Sequence, residues 1–170
     1  MTSKNRRTIA FLLCAWSLPL TLGGCGQSSE APQAPVVRGV FTTAADCSNL
    51  GTLTLEQCSN AISGAVSAHD STAPNYPSLK ACEKEQGPEK CERTSERSFR
   101  PRLMAFIVAM STPPQAAPLY PTLKGEPGFR TADNSVLASD DENLTFSLQA
   151  RSAAEMFAGK AGGDGGGGLF

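Results

Sequence analysis

Residues 45–91 read ADCSNLGTLTLEQCSNAISGAVSAHDSTAPNYPSLKACEKEQGPEKC, and the reading of the fold starts from their four cysteines. Cys47, Cys58, Cys82 and Cys91 form an even set. In an exported chain such a set reads as disulfides, because the compartments outside the cytoplasm are oxidising. Zinc is the rival occupant. The gaps here are ten, 23 and eight residues, not the usual Cys-x2-4-Cys spacing, so no metal site is expected. The stretch is also a loose repeat. Ala45-Asp46-Cys47 leads through Gly51 to Glu56-Gln57-Cys58, and Lys80-Ala81-Cys82 leads through Gly87 to Glu89-Lys90-Cys91. Two similar hooks close most simply on themselves, as Cys47–Cys58 and Cys82–Cys91, and short loops lose less entropy on closure. The nested pairing, Cys47–Cys91 with Cys58–Cys82, stays open.

Helix signals lie between the cysteines. Thr54 followed by Gln57 has the form of a capping box. Leu55, Cys58, Ile62, Val66 and His69 then fall at helical spacing on one face. Pro74 stops that helix, and Ser78 caps a second that runs from Leu79 to Gln86 and ends at Gly87-Pro88. A third short helix is expected from Pro88 toward Phe99, supported by Glu89 with Arg93 and Glu96 with Arg100 four apart. The fold expected is therefore mainly α: a small disulfide-stapled helical hairpin module over residues 40–110, with an irregular, partly disordered C-terminal half.

Beyond the cysteines the charge is blocky. Residues 80–102 hold seven basic and five acidic side chains, and 103–123 hold none. The mixed block reads as a solvated face, in which Arg93, Arg97, Arg100 and Arg102 form a mild basic cluster diluted by Glu92 and Glu96. Leu103–Met110 is the most apolar run after the N-terminal segment. It is too short to cross a membrane and reads as a buried strand or short core helix, with a docking surface as the sharper alternative. Pro113, Pro114, Pro118 and Pro121 follow, so residues 111–128 are expected as extended loop. Within 111–158 the further elements are a hairpin over Phe129–Leu137 turning at Asp133-Asn134, a strand over Leu144–Leu148 and a helix over Ser152–Phe157. Residues 159–170, rich in glycine, are expected as a flexible tail.

On the N-terminal side, residues 1–24 have the parts of an export signal: Lys4, Arg6 and Arg7, then an uncharged apolar run over Thr8–Leu22. Leu22-Gly23-Gly24-Cys25 resembles the lipobox of bacterial lipoproteins. That resemblance implies cleavage before Cys25 and acylation of it, and two or three acyl chains anchor stably. Gly26 in place of Asp implies, by resemblance to enterobacterial sorting, delivery to the outer membrane facing the periplasm. Residues 25–39 then read as a lipidated polar tether. The full chain has 15 basic and 16 acidic residues, net −1; from Cys25 onward the balance is 12 to 16, net −4. Such a balance does not fit a strongly basic nucleic-acid binder. Leu, Ile, Val and Phe make up only 26 of those 146 residues, too few for a core running the full length.

Ala45-Asp46-Cys47, Cys58, Ala65, Ala73-Pro74-Asn75-Tyr76, Cys82, Gly87 and Cys91 together resemble the YgiB-like family of small bacterial lipoproteins, a domain of unknown function. Pro118-Leu119-Tyr120 and Phe129-Arg130-Thr131-Ala132 resemble later elements of that family. The likeness covers roughly residues 40–137 and implies an envelope lipoprotein, with no established activity. Some members are encoded beside an ATP-grasp ligase resembling glutathionylspermidine synthase.

Catalytic patterns do not emerge. His69, the one histidine, lies on an apolar stripe and reads as a packed residue; Asp70 and Ser71 beside it form no triad. Asp140-Asp141-Glu142-Asn143 lacks the EF-hand spacing and reads as a loop. The expectation is a non-enzymatic, membrane-anchored envelope lipoprotein, needing no cofactor, that meets the bilayer through Cys25 and an envelope protein through its folded part. A small-ligand or cation-binding accessory protein is the alternative.

Overall fold

Val40-Phe41 and Ala105-Phe106-Ile107-Val108 alternate between two apolar faces, and that period of two builds the molecule. The computed structural model describes residues 36–158. In chain order its first half runs β1 (Arg38–Phe41), α1 (Ala44–Ser48), α2 (Leu55–Thr72), α3 (Leu79–Gln86), β2 (Cys91–Arg93) and β3 (Phe99–Pro101). The second half runs β4 (Ala105–Ala109), β5 (Gln115–Pro121), β6 (Gly128–Arg130), β7 (Val136–Ala138), β8 (Thr145–Phe146) and α4 (Leu148–Met156). Six strands form one sheet in the order β7-β6-β5-β4-β1-β8, and β2 pairs β3 in a separate ribbon. Neighbours in the large sheet are antiparallel except β1 and β8, which run parallel.

Phe41, Phe106 and Val108 face α1 and α2, where they meet Cys47, Cys58, Ile62 and Ala65. Val40, Ala105, Leu119, Phe129 and Phe146 face the other way, onto Ala150 and Ala154 of α4. Register locks the alternation: Val40 lies opposite Ile107, and Phe41 opposite Phe106. Asp46 ties the two layers together. Its carboxylate accepts from the Thr42 N–H at 3.0 Å and from the Ser147 hydroxyl at 2.6 Å, and Ser147 is itself the N-cap of α4.

The expected mainly α fold is corrected by this sheet. Helices α2 and α3 stand where expected, with the Thr54–Gln57 capping box, the Ser78 cap and Gly87 at the end of α3 all formed. Leu55, however, is exposed, and the buried stripe of α2 is Cys58, Ile62, Ala65 and His69. The third helix is instead the β2–β3 hairpin. Its turn is closed by Thr94 and Ser98, with Arg97 at φ 64°. The expected pairs Glu89–Arg93 and Glu96–Arg100 are not cross-strand neighbours in this hairpin; Arg100 instead lies opposite Glu92, and Arg93 opposite Phe99. Of the two forms open to the apolar run, the strand is the one adopted, as β4.

The C-terminal half is likewise ordered through α4. Residues expected as proline-rich loop contain β5. Over Gln115–Leu119 this strand pairs β4 alone, and β6 joins only at Tyr120 and Pro121. Pro118 therefore sits where β5 has a single neighbour, the place in a sheet where a missing N–H is tolerated. The hairpin at Asp133-Asn134 forms as β6–β7, with Asn134 at φ 67°. Gly128 opens it at φ 142°, and a Cβ there would run into the Leu137 carbonyl. Strand β1 begins at Arg38, inside the last residues read as tether.

Candidate functional site

Helix α2 delivers His69 to the interior one turn before it ends, on the buried stripe started by Cys58. The ring is fully buried, and both nitrogens are engaged: Nδ1 with the Tyr120 hydroxyl at 3.0 Å and Nε2 with Glu92 Oε1 at 3.2 Å. A carboxylate only accepts, so Nε2 carries a proton; in the neutral imidazole Nδ1 then accepts from Tyr120. Glu92 also accepts from Arg100 Nε at 2.8 Å and from the Leu103 N–H at 3.3 Å. Arg100 reaches on to Asp70 at 2.6 Å. Burial works against ionisation of Glu92, but the bonds from His69, Arg100 and Leu103 outweigh it and hold the carboxyl below its usual range. Burial also opposes the Arg100 charge, and its two carboxylate partners overcome that.

Tyr120 joins this chain of bonds to a pocket. The Arg130 guanidinium stands 5.0 Å from the centre of its ring, in cation–π range. Burial pushes the Tyr120 hydroxyl pKa up, against the opposing pull of Arg130 and Arg100. A cavity of about 160 Å³ opens here, lined by Tyr120 and Arg130 together with Pro74, Gln86, Pro101 and Ala132, among others. The elements that supply these residues are the end of α2, the end of α3, β3, β5, β6 and the β6–β7 turn.

Arg130 is 5% exposed. It donates to Gln86 Oε1, to Asn134 Oδ1 at 3.1 Å and to the Thr131 carbonyl at 3.4 Å, while its Nε has no acceptor. No carboxylate lies within ion-pair distance of it among the described residues. Burial lowers its pKa, and Tyr120 and Tyr76 oppose that only in part. Close by, Lys90 is 1% exposed and donates to the Thr122 carbonyl at 2.7 Å and the Leu123 carbonyl at 3.0 Å. Burial, then the Arg130 charge, lower its pKa, with Glu126 acting in the other direction.

A larger groove of about 970 Å³ runs beside the β2–β3 ribbon and reaches Met156 and Phe157 at the end of α4. Its charges are mixed, with Glu83, Glu89 and Glu92 against Arg93 and Arg102, so it selects no one class of ligand. The smaller pocket, with one sign of buried charge, is the candidate site.

Sequence reading placed His69 among packed residues without its partners. Those come from β2 and β5. Arg130 was missed as a site residue; the one signal that could have found it is the alternation of β6, which puts it on the face opposite Phe129. The four cysteines are joined as Cys47–Cys58, with S–S 2.03 Å, and Cys82–Cys91, with S–S 1.95 Å. The pairs lie apart from the pocket, though Cys82 sits on the helix that supplies Gln86. The basic cluster is dispersed: Arg100 is ion-paired and Arg102 donates to the Cys91 carbonyl at 3.1 Å. Asp141 closes a turn by accepting from the Asn143 N–H. Cys25 lies outside the described residues, as does the glycine-rich tail. Among the described residues no helix is long and apolar enough to cross a membrane, and no group of three or more metal-ligating side chains gathers.

Fold and site together define a small disulfide-braced domain built on a six-stranded sheet, with a polar pocket where helix ends meet one end of the sheet. A family model matches residues 36–162, from just ahead of β1 through the whole of α4, and its description is "Protein of unknown function (DUF1190)". The chain belongs to this family. No curated protein and no solved structure matches it.

Proposed function

We propose that the chain is a lipid-anchored protein of the bacterial cell envelope that acts by binding and not by catalysis. Acylated Cys25 holds it to the bilayer, and Gly26 favours the outer membrane facing the periplasm. Support for the address comes from Leu22-Gly23-Gly24-Cys25, from the likeness to YgiB-like lipoproteins and from two disulfides, which suit an oxidising compartment.

The observation that carries the binding role is the pocket itself. It presents a buried guanidinium with unused hydrogen-bonding capacity, while the acid–base groups behind it are committed to one another. Such a site holds a ligand group in place; it does not by itself supply a nucleophile with its base. The ligand belongs to another envelope component or to a small molecule handled beside one.

Two measurements test this. Radiolabelled palmitate is expected to enter the wild-type chain and to be absent from Cys25→Ser, which leaves the membrane fraction. In-cell crosslinking of the tagged chain is expected to recover an envelope partner. Wild-type protein found unlabelled, or no recovered partner across growth conditions, overturns the reading.

A further inference from the structure

We propose that the Arg130 pocket is a carboxylate site that takes the acid group of a short aliphatic acid. This rests on the binding role above and names the chemistry that the site selects.

Charge is the first ground. A buried cation without a counter-charge is costly, and hydrogen bonds to neutral amide oxygens with a tyrosine face offset only part of that. Arg130 is in that position, and Lys90 adds a second buried cation behind it. The chain from Cys25 onward is net acidic, so this positive interior runs against its overall charge. Lys90 spends two donors on the Thr122 and Leu123 carbonyls and does not line the pocket. It therefore contributes field, and Arg130 contributes contact.

Donor geometry is the second ground. A guanidinium has five N–H groups in a planar fork. Three go to Gln86, Asn134 and the Thr131 carbonyl, which leaves one proton on Nη2 and the Nε–H, a donor sealed from solvent that a ligand reaches only by displacing the side chains over it. Two donors on neighbouring nitrogens are what a planar carboxylate takes. A phosphate dianion would bring a second charge with no second cation in the lining to meet it.

Size is the third. At about 160 Å³ the cavity is smaller than the ~300 to 1,000 Å³ common for ligand pockets, which suits a carboxyl group with a few carbons. Pro74, Pro101 and Ala132 give that short chain apolar walls.

The test uses the purified full chain and the arginine Nε–H resonances in ¹H–¹⁵N NMR spectra. The Arg130 signal is identified by its loss in Arg130→Lys. Propionate is titrated at constant ionic strength, with propionamide and inorganic phosphate as comparators. The signal is expected to move saturably with propionate, to ignore propionamide and to respond more weakly to phosphate. Thermal shift is expected to report about tenfold weaker propionate binding to Arg130→Lys, since a point charge replaces the fork. Ala132 is exposed, so Ala132→Trp fills the pocket without entering the core; it is expected to melt like wild type and lose the propionate response. An Arg130 signal unmoved by propionate, moved equally by propionamide, or moved more by phosphate overturns the assignment, as does a full response in Ala132→Trp. Such a failure leaves the anchored binding role to its own palmitate and crosslinking tests, whose failure would in turn leave a positive propionate result standing.

Discussion

Glu92 receives three bonds on two oxygens, and each comes from a different part of the chain: His69 from α2, Arg100 from β3 and the Leu103 N–H beyond it. Those bonds hold its carboxyl below the ordinary range, which fixes a sign for its effect on stability. A group whose folded pKa is depressed stabilises above the ordinary glutamate value of about 4.3 and loses that contribution as pH falls through the lower, folded value. Denaturant titrations from neutral to acid pH should therefore show stability dropping through that window in the wild type. Glu92→Gln is expected to be less stable at neutral pH and to show a shallower acid decline; an unchanged decline would remove Glu92 from the account. At this scale His69 was legible as a stripe residue, because helical periodicity is local. Its partners were not, because a strand residue's facing neighbour depends on sheet register, which the spacing along α2 does not contain. Tyr120 and Arg130 were visible as parts of short motifs and acquired roles only when β5 and β6 came together.

Helix α3 has eight residues, fewer than the ~12 to 15 below which an isolated helix is marginal in water. Its N-cap at Ser78 and the bridge from Cys82 to Cys91 on β2 hold it to the body. Loops of this length give a disulfide about 3 kcal/mol of stabilising effect. Cys91→Ser and Cys58→Ser are each expected to lower the midpoint of thermal unfolding and the level of protein in the cell and, under the proposed lipid anchoring, to leave palmitate incorporation unchanged. Mass mapping of thiols checks the premise, and four free cysteines in envelope material would defeat it. Cys91→Ser carries a further expectation, since Gln86 on α3 accepts from Arg130: it should weaken the propionate response where Cys58→Ser leaves it intact. Elements with local signals were readable. Thr54, Ser78 and Gly87 mark helix ends through neighbours three or four residues away, and Asp133-Asn134 marks a turn. Strand β5 was unreadable as a strand, because Pro118 and Pro121 count against one until its pairing on a single side is known. The β2–β3 ribbon was hidden for a different reason: Glu89 with Arg93 and Glu96 with Arg100 have helical spacing, whereas the pairing actually used, Glu92 with Arg100, depends on where the turn falls.

At the scale of the whole molecule the sheet is held by pairings between distant segments. Strand β1 lies between β4 and β8, and its Val40 and Phe41 feed opposite cores. Removing residues through Phe41 is therefore expected to abolish cooperative unfolding, as followed by circular dichroism, even with both disulfides retained. A truncated chain that still melted cooperatively would show β1 to be dispensable. The low content of Leu, Ile, Val and Phe reads differently once the sheet is seen. Alanines at 65, 105, 150 and 154 allow α2 and α4 to approach the strands closely, and a few aromatic residues fill the remaining space. The parallel contact of β1 with β8 also sets an order in time. Chains are made from the N-terminus, and β8 follows β1 by nearly the whole described length. The helix α2 and the hairpins β2–β3 and β6–β7 need only nearby residues and form early, whereas β1 waits with one edge bare until the last strand emerges. A chain in that condition keeps an open sheet edge for most of its synthesis, and the sheet is complete only when β8 arrives.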